Sequence, residues 1–206
     1  MKRLAPFGSV PIDTSVLKSV FFDYGFPGNK VSQLEKNGNL IRLKRGLYAV
    51  SPEVSGQTIS LELIANHLYG PSYVSMEFAL RYYGLIPERV FEVKSMTSKR
   101  SRQFVNDLAT FTYIETTADY FPIGIRQVSA TQTFLIASPE KALCDLIAYT
   151  QGLRIQSLKS MLQYLEEDIR FDTAELAHFD IELIKQCIEF GKKKRELILL
   201  LKLLEQ

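Results

Sequence analysis

The sequence contains few of the residues that disulfide-bonded, metal-binding or membrane proteins require. Its two cysteines, Cys144 and Cys187, fit no disulfide framework, and each lies in an apolar periodic stretch that favours a small buried thiol. Its two histidines, His67 and His178, are far apart in the sequence and belong to no cysteine and histidine set with metal-ligand spacing. No apolar run approaches the ~18 residues that a membrane span needs. We therefore expect a cytoplasmic protein with no membrane segment, no bound metal and no cofactor.

Motifs of nucleotide-dependent enzymes are absent from the sequence as well. There is no phosphate-binding loop that ends in Gly-Lys-Ser/Thr and no Gly-x-Gly-x-x-Gly sequence. The chain does have the composition of an ordinary folded protein, with 46% hydrophobic and 23% charged residues. Its length of 206 residues indicates one large unit or a small unit joined to a larger one.

Residues 1–57 predict a small winged helix-turn-helix domain. Asp13 or Thr14 can cap a first helix that has apolar residues at helical spacing, and Pro27 starts a second, short helix. Two strand-like segments, 40–43 and 47–50, follow and are joined by a tight basic turn. Helix, turn, short helix and hairpin is the element order of a winged helix-turn-helix.

Basic residues are concentrated in the second half of this domain. Residues 30–45 hold five basic side chains and one acidic residue, Glu35, which is the charge pattern of a surface that binds a polyanion. If Val31 and Leu34 face the core, the polar residues between them lie on the outer side of the second helix. Donors on such a helix suit base edges in a major groove, whereas cations on the hairpin suit flanking phosphates. The residues predicted to bind DNA are Asn29, Lys30, Ser32, Gln33 and Lys36 on the helix and Arg42, Lys44 and Arg45 on the hairpin.

One element of the standard winged fold is expected to be missing. That fold has a helix ahead of the helix-turn-helix pair, yet only 13 residues precede Thr14 here, and Pro6, Gly8 and Pro11 are among them. A truncated module of this kind either binds DNA only as a dimer or has lost DNA binding and serves as a docking surface.

Residues 58–206 predict a second, larger domain, which begins after the polar, proline- and glycine-bearing connector 51–56. Strand-like segments rich in β-branched and aromatic residues are predicted over 90–97, 109–116, 122–128 and 133–137. Helices are predicted over 61–68, 76–83, 157–166, 172–178 and 180–205, with a further helix that starts at Ser138 and a break near Gly191. The predicted fold class is α+β, with a truncated winged helix-turn-helix followed by a mixed α/β domain that has a small sheet and C-terminal helices.

Two further basic segments are candidates for contact with nucleic acid or with an acidic partner. In residues 94–102, hydroxyl groups alternate with cations in a predicted connecting loop, and Lys99, Arg100 and Arg102 could contact phosphates there. The run Lys-Lys-Lys-Arg at 192–195 has the same chemistry. For both segments the alternative is an ordinary solvated surface.

An acid-x-lysine sequence, Glu92-Val93-Lys94, lies on a predicted strand and has the form that Mg²⁺-dependent nucleases use. In such a site the carboxylate would hold Mg²⁺ and the lysine would steady the attacking water. A further acid is needed close by, but the nearest upstream acids, Glu77 and Glu88, fall on a predicted helix and in a loop. We therefore expect no catalytic residues and no enzymatic activity, and a nuclease is the less favoured alternative.

Three strings of the sequence carry a family resemblance. They are Arg45-Gly46-Leu47-Tyr48, residues 73–88 (YVSMEFALRYYGLIPE) and residues 137–146 (ASPEKALCDL), of which the last two are the more specific. They resemble the AbiEi-type antitoxins of abortive-infection toxin–antitoxin systems, and the match covers most of residues 28–150. The resemblance implies a small winged helix-turn-helix ahead of a larger α and β domain. It also implies repression of the protein's own operon and neutralisation of a nucleotidyltransferase-like toxin that is encoded alongside.

Together, these observations predict an antitoxin-type transcriptional regulator. Its expected partners are double-stranded operator DNA, a cognate nucleotidyltransferase-like toxin and a second copy of the chain that reads an inverted half-site. The alternative from another class is a protein-interaction module of the same family that no longer contacts DNA.

Overall fold

The computed structural model describes residues 2–87, 91–129 and 131–205. It has the α+β architecture that the sequence predicts, with a three-stranded sheet in the N-terminal part and a six-stranded sheet in the larger part. Helices follow the last strand; the first of them packs against the larger sheet, and the later ones pack against that helix and against one another. The predicted fold class is therefore confirmed.

The N-terminal module, residues 2–50, has the element order of a winged helix-turn-helix. Its elements are β1 (Ile12–Asp13), α1 (Thr14–Val20), α2 (Pro27–Lys36), β2 (Leu40–Lys44) and β3 (Leu47–Val50). The strands form an antiparallel sheet in the order β1-β3-β2. Asp13 caps α1, because its Oδ1 accepts a 2.8 Å hydrogen bond from the backbone N–H of Ser15. Pro27 occupies the first turn of α2, where its missing N–H has no helical partner to lose.

Shorter elements stand where the standard fold has its first helix. Residues 2–13 form a three-residue 3-10 helix, Ala5–Phe7, and strand β1, which pairs with β3. Leu4 and Ile12 from this segment are buried in a small hydrophobic core. The other core residues of the module are Leu17, Phe21, Val31, Leu34, Leu40, Tyr48 and Val50. An α-helix ahead of the pair is thus absent from residues 2–13, as expected, and its packing role is taken by two short elements.

The larger part is built on a mixed sheet. Its strands are β4 (Ser72–Val74), β5 (Glu92–Thr97), β6 (Arg102–Val105), β7 (Thr110–Glu115), β8 (Ile125–Ser129) and β9 (Thr133–Ala137). They lie in the order β6-β7-β5-β4-β9-β8, in which β5-β7 and β4-β9 are parallel pairs and the other pairs are antiparallel. The helices from residue 52 onward are α3 (Pro52–Ser55), α4 (Leu61–Leu68), α5 (Met76–Tyr82), α6 (Pro139–Tyr149), α7 (Leu158–Gln163), α8 (Ile181–Phe190) and α9 (Lys194–Leu204).

The two parts of the protein pack against each other. The predicted boundary after residue 57 falls between α3 and α4, but Leu43 and Ala49 of the β2–β3 hairpin are buried in the core of the larger part. The side-chain amide of Asn106 donates a 3.1 Å hydrogen bond to the Leu43 carbonyl. The hairpin is therefore held in a fixed position against the larger sheet.

Several expected element boundaries differ from the structure. The segment 94–102 is not one connecting loop, because Lys94 lies within β5 and Arg102 begins β6. β6 is an edge strand whose side chains are mostly exposed, so its sequence lacks the apolar alternation that marks a half-buried strand. The helix expected over 157–166 ends at Gln163 and continues as a π-helical turn, and the segment 172–178 forms a 3-10 helix. The expected break at Gly191 separates α8 from α9.

A buried polar network fixes α6, the central helix of the larger part. Lys141 and Asp145 lie one turn apart with 0% exposure of either side chain, and Nζ is 3.3 Å from Oδ1. Asp145 Oδ2 also accepts hydrogen bonds from the hydroxyls of Tyr73, at 3.2 Å, and Ser75, at 2.6 Å. Lys141 Nζ donates to the carbonyl of Tyr120 at 3.1 Å. Because these buried charges are paired and hydrogen-bonded, they orient α6 against β4 and the segment before β8.

Candidate nucleic-acid interface

Helix α2 presents a polar face to solvent. Val31 and Leu34 are buried against α1, so the opposite side of the helix is directed outward. Asn29, Ser32, Gln33 and Lys36 are all exposed on that side, and Lys30 is half-buried. The structure thus places the predicted recognition residues together on one surface of one helix.

The polar side chains of α2 differ in the contacts they already make. Ser32 donates a 3.2 Å hydrogen bond to the Gly28 carbonyl of its own helix. Lys30 Nζ donates to Gln33 Oε1 at 3.1 Å and lies 5.2 Å from the centroid of the Tyr24 ring. Asn29 and Lys36 make no side-chain hydrogen bond or ion pair within the described residues. These two, with Gln33 beside them, are the groups most available to a ligand.

One of the two hairpin arginines contacts α2. Arg42 lies 3.8 Å from Glu35, measured from Nη1 to Oε1, which connects β2 to the last turn of α2. Arg45 is exposed at the tip of the hairpin. The adjacent Gly46 adopts φ +87°, a conformation that side chains with a Cβ rarely adopt and that closes the tight turn. Arg42 therefore lies at the edge of the surface that α2 presents. Arg45 lies at the hairpin tip, where the Gly46 carbonyl accepts a 2.9 Å hydrogen bond from the N–H of Thr14 at the start of α1.

Lys44 points toward the larger part of the protein. A β-bulge between Arg42 and Lys44 shifts the register of β2 on β3, and a bulge re-aims the side chains that follow it. Lys44 Nζ donates a 2.5 Å hydrogen bond to the carbonyl of Leu68, the last residue of α4. Of the three hairpin cations predicted to bind DNA, Lys44 is the one that contacts the larger part.

Lys44 instead joins a cluster at the boundary of the two parts, which we call the junction patch. The patch consists of Lys44, Tyr69, Lys99, Arg100, Arg102 and Phe104. The Tyr69 and Phe104 rings lie 6.0 Å apart, centroid to centroid. The Arg102 guanidinium is 4.9 Å from the Phe104 ring and 5.9 Å from the Tyr69 ring, and Lys99 Nζ is 5.4 Å from the Tyr69 ring. Cations predicted in two separate segments of sequence thus meet around two aromatic rings.

The electrostatics of the junction patch are unbalanced. Burial lowers the pKa of Lys44, and the nearby charges of Arg102 and Lys99 lower it further, while Asp13 acts weakly in the opposite direction. Arg100 lies between Lys99 and Arg102 in sequence and is exposed, and its carbonyl accepts a 3.2 Å hydrogen bond from Tyr69. The patch therefore concentrates positive charge at the surface.

The C-terminal basic run makes contacts within the protein. Lys193 Nζ donates to the carbonyls of Thr150, at 2.6 Å, and Leu153, at 3.0 Å, and burial lowers the pKa of this lysine. Lys194 Nζ donates to the Glu189 carbonyl at 2.7 Å. These bonds hold the break between α8 and α9 against the loop after α6, which gives this part of the run a structural role.

Both charged residues of the acid-x-lysine segment contact other side chains of the protein. Lys94 Nζ lies 2.8 Å from Glu77 Oε1 of α5, and the Thr112 hydroxyl of β7 hydrogen-bonds to Glu92. Glu88, the remaining acid that the sequence suggested, lies outside the described residues. Within the part of the chain that the structure describes, no group of three or more histidine, cysteine, aspartate or glutamate side chains could hold a metal ion. The geometry gives no specific support to a metal-dependent nuclease.

Sequence reasoning did not single out the aromatic residues at these surfaces. Tyr69 and Phe104 support the junction patch, and Phe104 could have been paired with Arg102, because residues two apart on a strand share a face. Phe22 and Phe26, in the turn between α1 and α2, are 80% and 77% exposed. Exposed phenylalanines in a turn are uncommon, so the presence of two in the sequence of this turn could have marked it as a contact surface.

Comparison with known proteins gives the fold but no family. No protein-family model matches the chain, and no curated protein matches it. The chain is similar to the crystal structure of the RV2827C protein from Mycobacterium tuberculosis, with a TM-score of 0.54 and 14% sequence identity. The similarity covers 100% of this chain and 75% of that one, and at this identity it bears on the fold alone. Over the described residues, no helix is both long enough and apolar enough to traverse a lipid bilayer.

Proposed function

We propose that the protein is a transcriptional regulator of the antitoxin type, which binds operator DNA through its N-terminal module. In this proposal α2 enters a major groove, and Asn29, Gln33 and Lys36 contact base edges and phosphates. Arg42 and Arg45 hold the adjacent backbone. The observation that carries the proposal is the exposed polar face of α2 beside a basic hairpin, in a module with winged helix-turn-helix order.

The side-chain chemistry of α2 fits base recognition. Asn and Gln amides can make paired hydrogen bonds to adenine, and lysine can donate to guanine or to a phosphate. Asn29 and Gln33 lie one turn apart, so their amides project from the same side of the helix. Ser32, which bonds to its own helix, would support this surface more than read it, and Lys30 would orient the Gln33 amide by donating to its Oε1.

The antitoxin role rests on the resemblance of residues 73–88 and 137–146 to AbiEi-type antitoxins. In that role the larger part would engage a nucleotidyltransferase-like toxin, and two copies of the chain would read an inverted operator site. The proposal implies a cytoplasmic location, since operator DNA lies there.

Binding to a duplex that carries the sequence upstream of the protein's own coding region tests DNA recognition. We expect selective retention over a scrambled duplex at near-physiological salt. Gln33→Ala should weaken binding by about 1–3 kcal/mol and relax the sequence preference. Gln127→Ala is the matched control, because Gln127 is an exposed glutamine on β8, at the opposite edge of the larger sheet from β6. Equal affinity of the wild-type protein for both duplexes would contradict the proposal.

A protein-interaction module is the second candidate function, and the exposed turn between α1 and α2 favours it. Phe22 and Phe26 in this turn expose large apolar surfaces that a protein partner would cover. In this case the protein shows no selective DNA retention, and the cognate toxin copurifies with the wild-type chain. Phe22→Ser with Phe26→Ser should then abolish copurification, while Gln33→Ala leaves it unchanged.

A further inference from the structure

We propose that the junction patch is a second DNA-contact surface, at which the larger part of the protein binds the phosphodiester backbone beyond the segment that α2 contacts. The inference rests on the proposed function for the identity of its ligand. It differs from that function in assigning DNA contact to the larger part, on strand β6 and the turn before it.

The aromatic rings of the patch position the cations without neutralising them. A guanidinium that stacks on a ring keeps its full charge and leaves the N–H groups at its edge free to donate. Arg102 lies over Phe104 and Tyr69 in this way, and its side chain forms no hydrogen bond or ion pair within the described residues. The stack therefore presents a positioned, unpaired guanidinium at the protein surface.

The patch has more donors than the protein uses. Lys44 and Lys99 each donate one 2.5 Å hydrogen bond, to the carbonyls of Leu68 and Gly70 at the end of α4. An ammonium group has three donors, so each lysine keeps donors for a ligand. The bonds to carbonyls fix where the charges lie, and the remaining donors suit the non-bridging oxygens of a phosphate.

The charge of the patch calls for an anionic ligand. Lys99, Arg100 and Arg102 are exposed, and none of them forms an ion pair with a described acidic residue. Like charges that lie close together repel, and a polyanion relieves this repulsion while it releases its own counterions. A duplex backbone supplies such charges at regular spacing.

The location of the patch matches a duplex bound at the hairpin. Lys44 is the neighbour of Arg45, and the bond from Asn106 to the Leu43 carbonyl holds the hairpin against the larger part. The patch therefore begins one residue from the hairpin tip, at which Arg45 is proposed to hold the DNA backbone. An acidic protein segment is the competing ligand, and the test below distinguishes it from DNA.

The salt dependence of DNA affinity measures this contact directly. The test variant is Arg100→Ala with Arg102→Ala, and the control is Arg154→Ala with Lys159→Ala, which removes the same charge from exposed positions before and within α7. Fluorescence anisotropy with one fixed duplex gives the slope of log affinity against log salt. Two lost phosphate contacts should reduce the magnitude of this slope by about 2.

Expressed as fold-change, the wild-type protein should lose ~10-fold more affinity than the test variant between about 50 and 200 mM salt. The control should keep the wild-type slope, and the test variant should keep the wild-type sequence preference. Arg102→Lys keeps the charge and should keep the wild-type slope. A reduced slope in the test variant is then due to lost charge and not to a disturbed fold. Circular dichroism of each variant verifies that the fold is intact.

The outcomes separate this inference from the proposed function. Selective binding with an unchanged slope in the folded test variant overturns the inference and leaves the proposed function standing. Non-selective binding with a reduced slope supports the inference and overturns operator recognition. The third outcome is that the test variant keeps the wild-type DNA slope but loses the binding of polyglutamate that the wild-type protein shows. That outcome assigns the patch to an acidic protein partner and overturns the inference.

Discussion

The two parts of this protein use polar side chains in opposite ways. In the N-terminal module, Asn29, Gln33 and Lys36 lie on the outside of α2, above a small apolar core. In the larger part, Lys141 and Asp145 lie on the buried side of the central helix α6, where they are paired and inaccessible to solvent. The module therefore keeps these polar groups accessible to a ligand, whereas the polar groups of α6 determine how the larger part packs.

This contrast bears on how the family resemblance is interpreted. The more specific strings, 73–88 and 137–146, contain the buried network of Tyr73, Ser75, Lys141 and Asp145. Such residues are constrained by the fold, so a resemblance carried by these strings bears on packing rather than on DNA binding. The module residues proposed to bind DNA all lie outside these two strings and must be tested one by one.

The largest expected effect comes from breaking the buried ion pair. Asp145→Asn leaves the Lys141 ammonium in the core without its counter-charge, and we expect a loss of about 3–5 kcal/mol in the free energy of unfolding. Urea denaturation measures it. Glu182→Gln is the control, because Glu182 and Lys185 form a helical pair that is exposed, and its removal should cause no measurable change. Similar losses in both variants would mean that burial does not distinguish the two pairs.

Truncating the module core should have the next largest effect. Leu34→Ala removes a buried side chain from α2, and we expect a loss of about 2–5 kcal/mol, with DNA binding lost in parallel. Gln33→Ala, one residue earlier, should change the unfolding free energy by less than about 0.5 kcal/mol, because its side chain is exposed. Denaturation curves of the two variants test whether core and surface functions of α2 are separate. A destabilising Gln33→Ala would show that they are not.

A substitution that strains the turn of the β2–β3 hairpin should have a smaller effect on stability. Gly46 adopts φ +87°, and a Cβ placed there would meet only Thr14 Oγ1, at 3.8 Å. Gly46→Ala should therefore cost about 1–2 kcal/mol through backbone strain alone. Thermal denaturation measures the cost, and Gly25→Ala serves as a control at a glycine without positive φ and with open space for a Cβ. An equal cost at the two glycines would contradict a conformational explanation.

Alkaline pH should lower the stability of the larger part. This is the smallest of the expected effects near neutral pH, where the tyrosines are uncharged in both the folded and the unfolded state. Burial raises the pKa of Tyr149 to about 12, and it also raises the pKa of Tyr73 and Tyr164. The neutral phenol is favoured in the folded state, so stability is unaffected below the unfolded pKa of about 10 and falls as pH rises toward 12. Urea midpoints across this range should show the fall, and Tyr149→Phe should reduce it. An identical fall in Tyr149→Phe would exclude this residue as a contributor.

Local sequence patterns predicted the helical face of α2 because its determinants are close together. Val31 and Leu34 at helical spacing orient the helix, and Asp13 and Pro27 mark where α1 and α2 start. The sequence did not predict edge strand β6, because exposed strands lack apolar alternation. β6 is instead defined by its hydrogen bonds to the neighbouring strand β7. The predicted strand over 133–137 matched β9, whose first four residues alternate between exposed and buried.

Sequence by itself determined which residues of α2 face solvent, since helical periodicity depends only on neighbours a few positions away. It did not determine where Lys44 points, because the bulge in β2 breaks the two-residue alternation that would have kept this lysine beside Arg42. Nor did it bring Lys44 to Lys99 and Arg102. That meeting was decided by the packing of the hairpin against the larger part, which joins residues more than fifty positions apart along the chain.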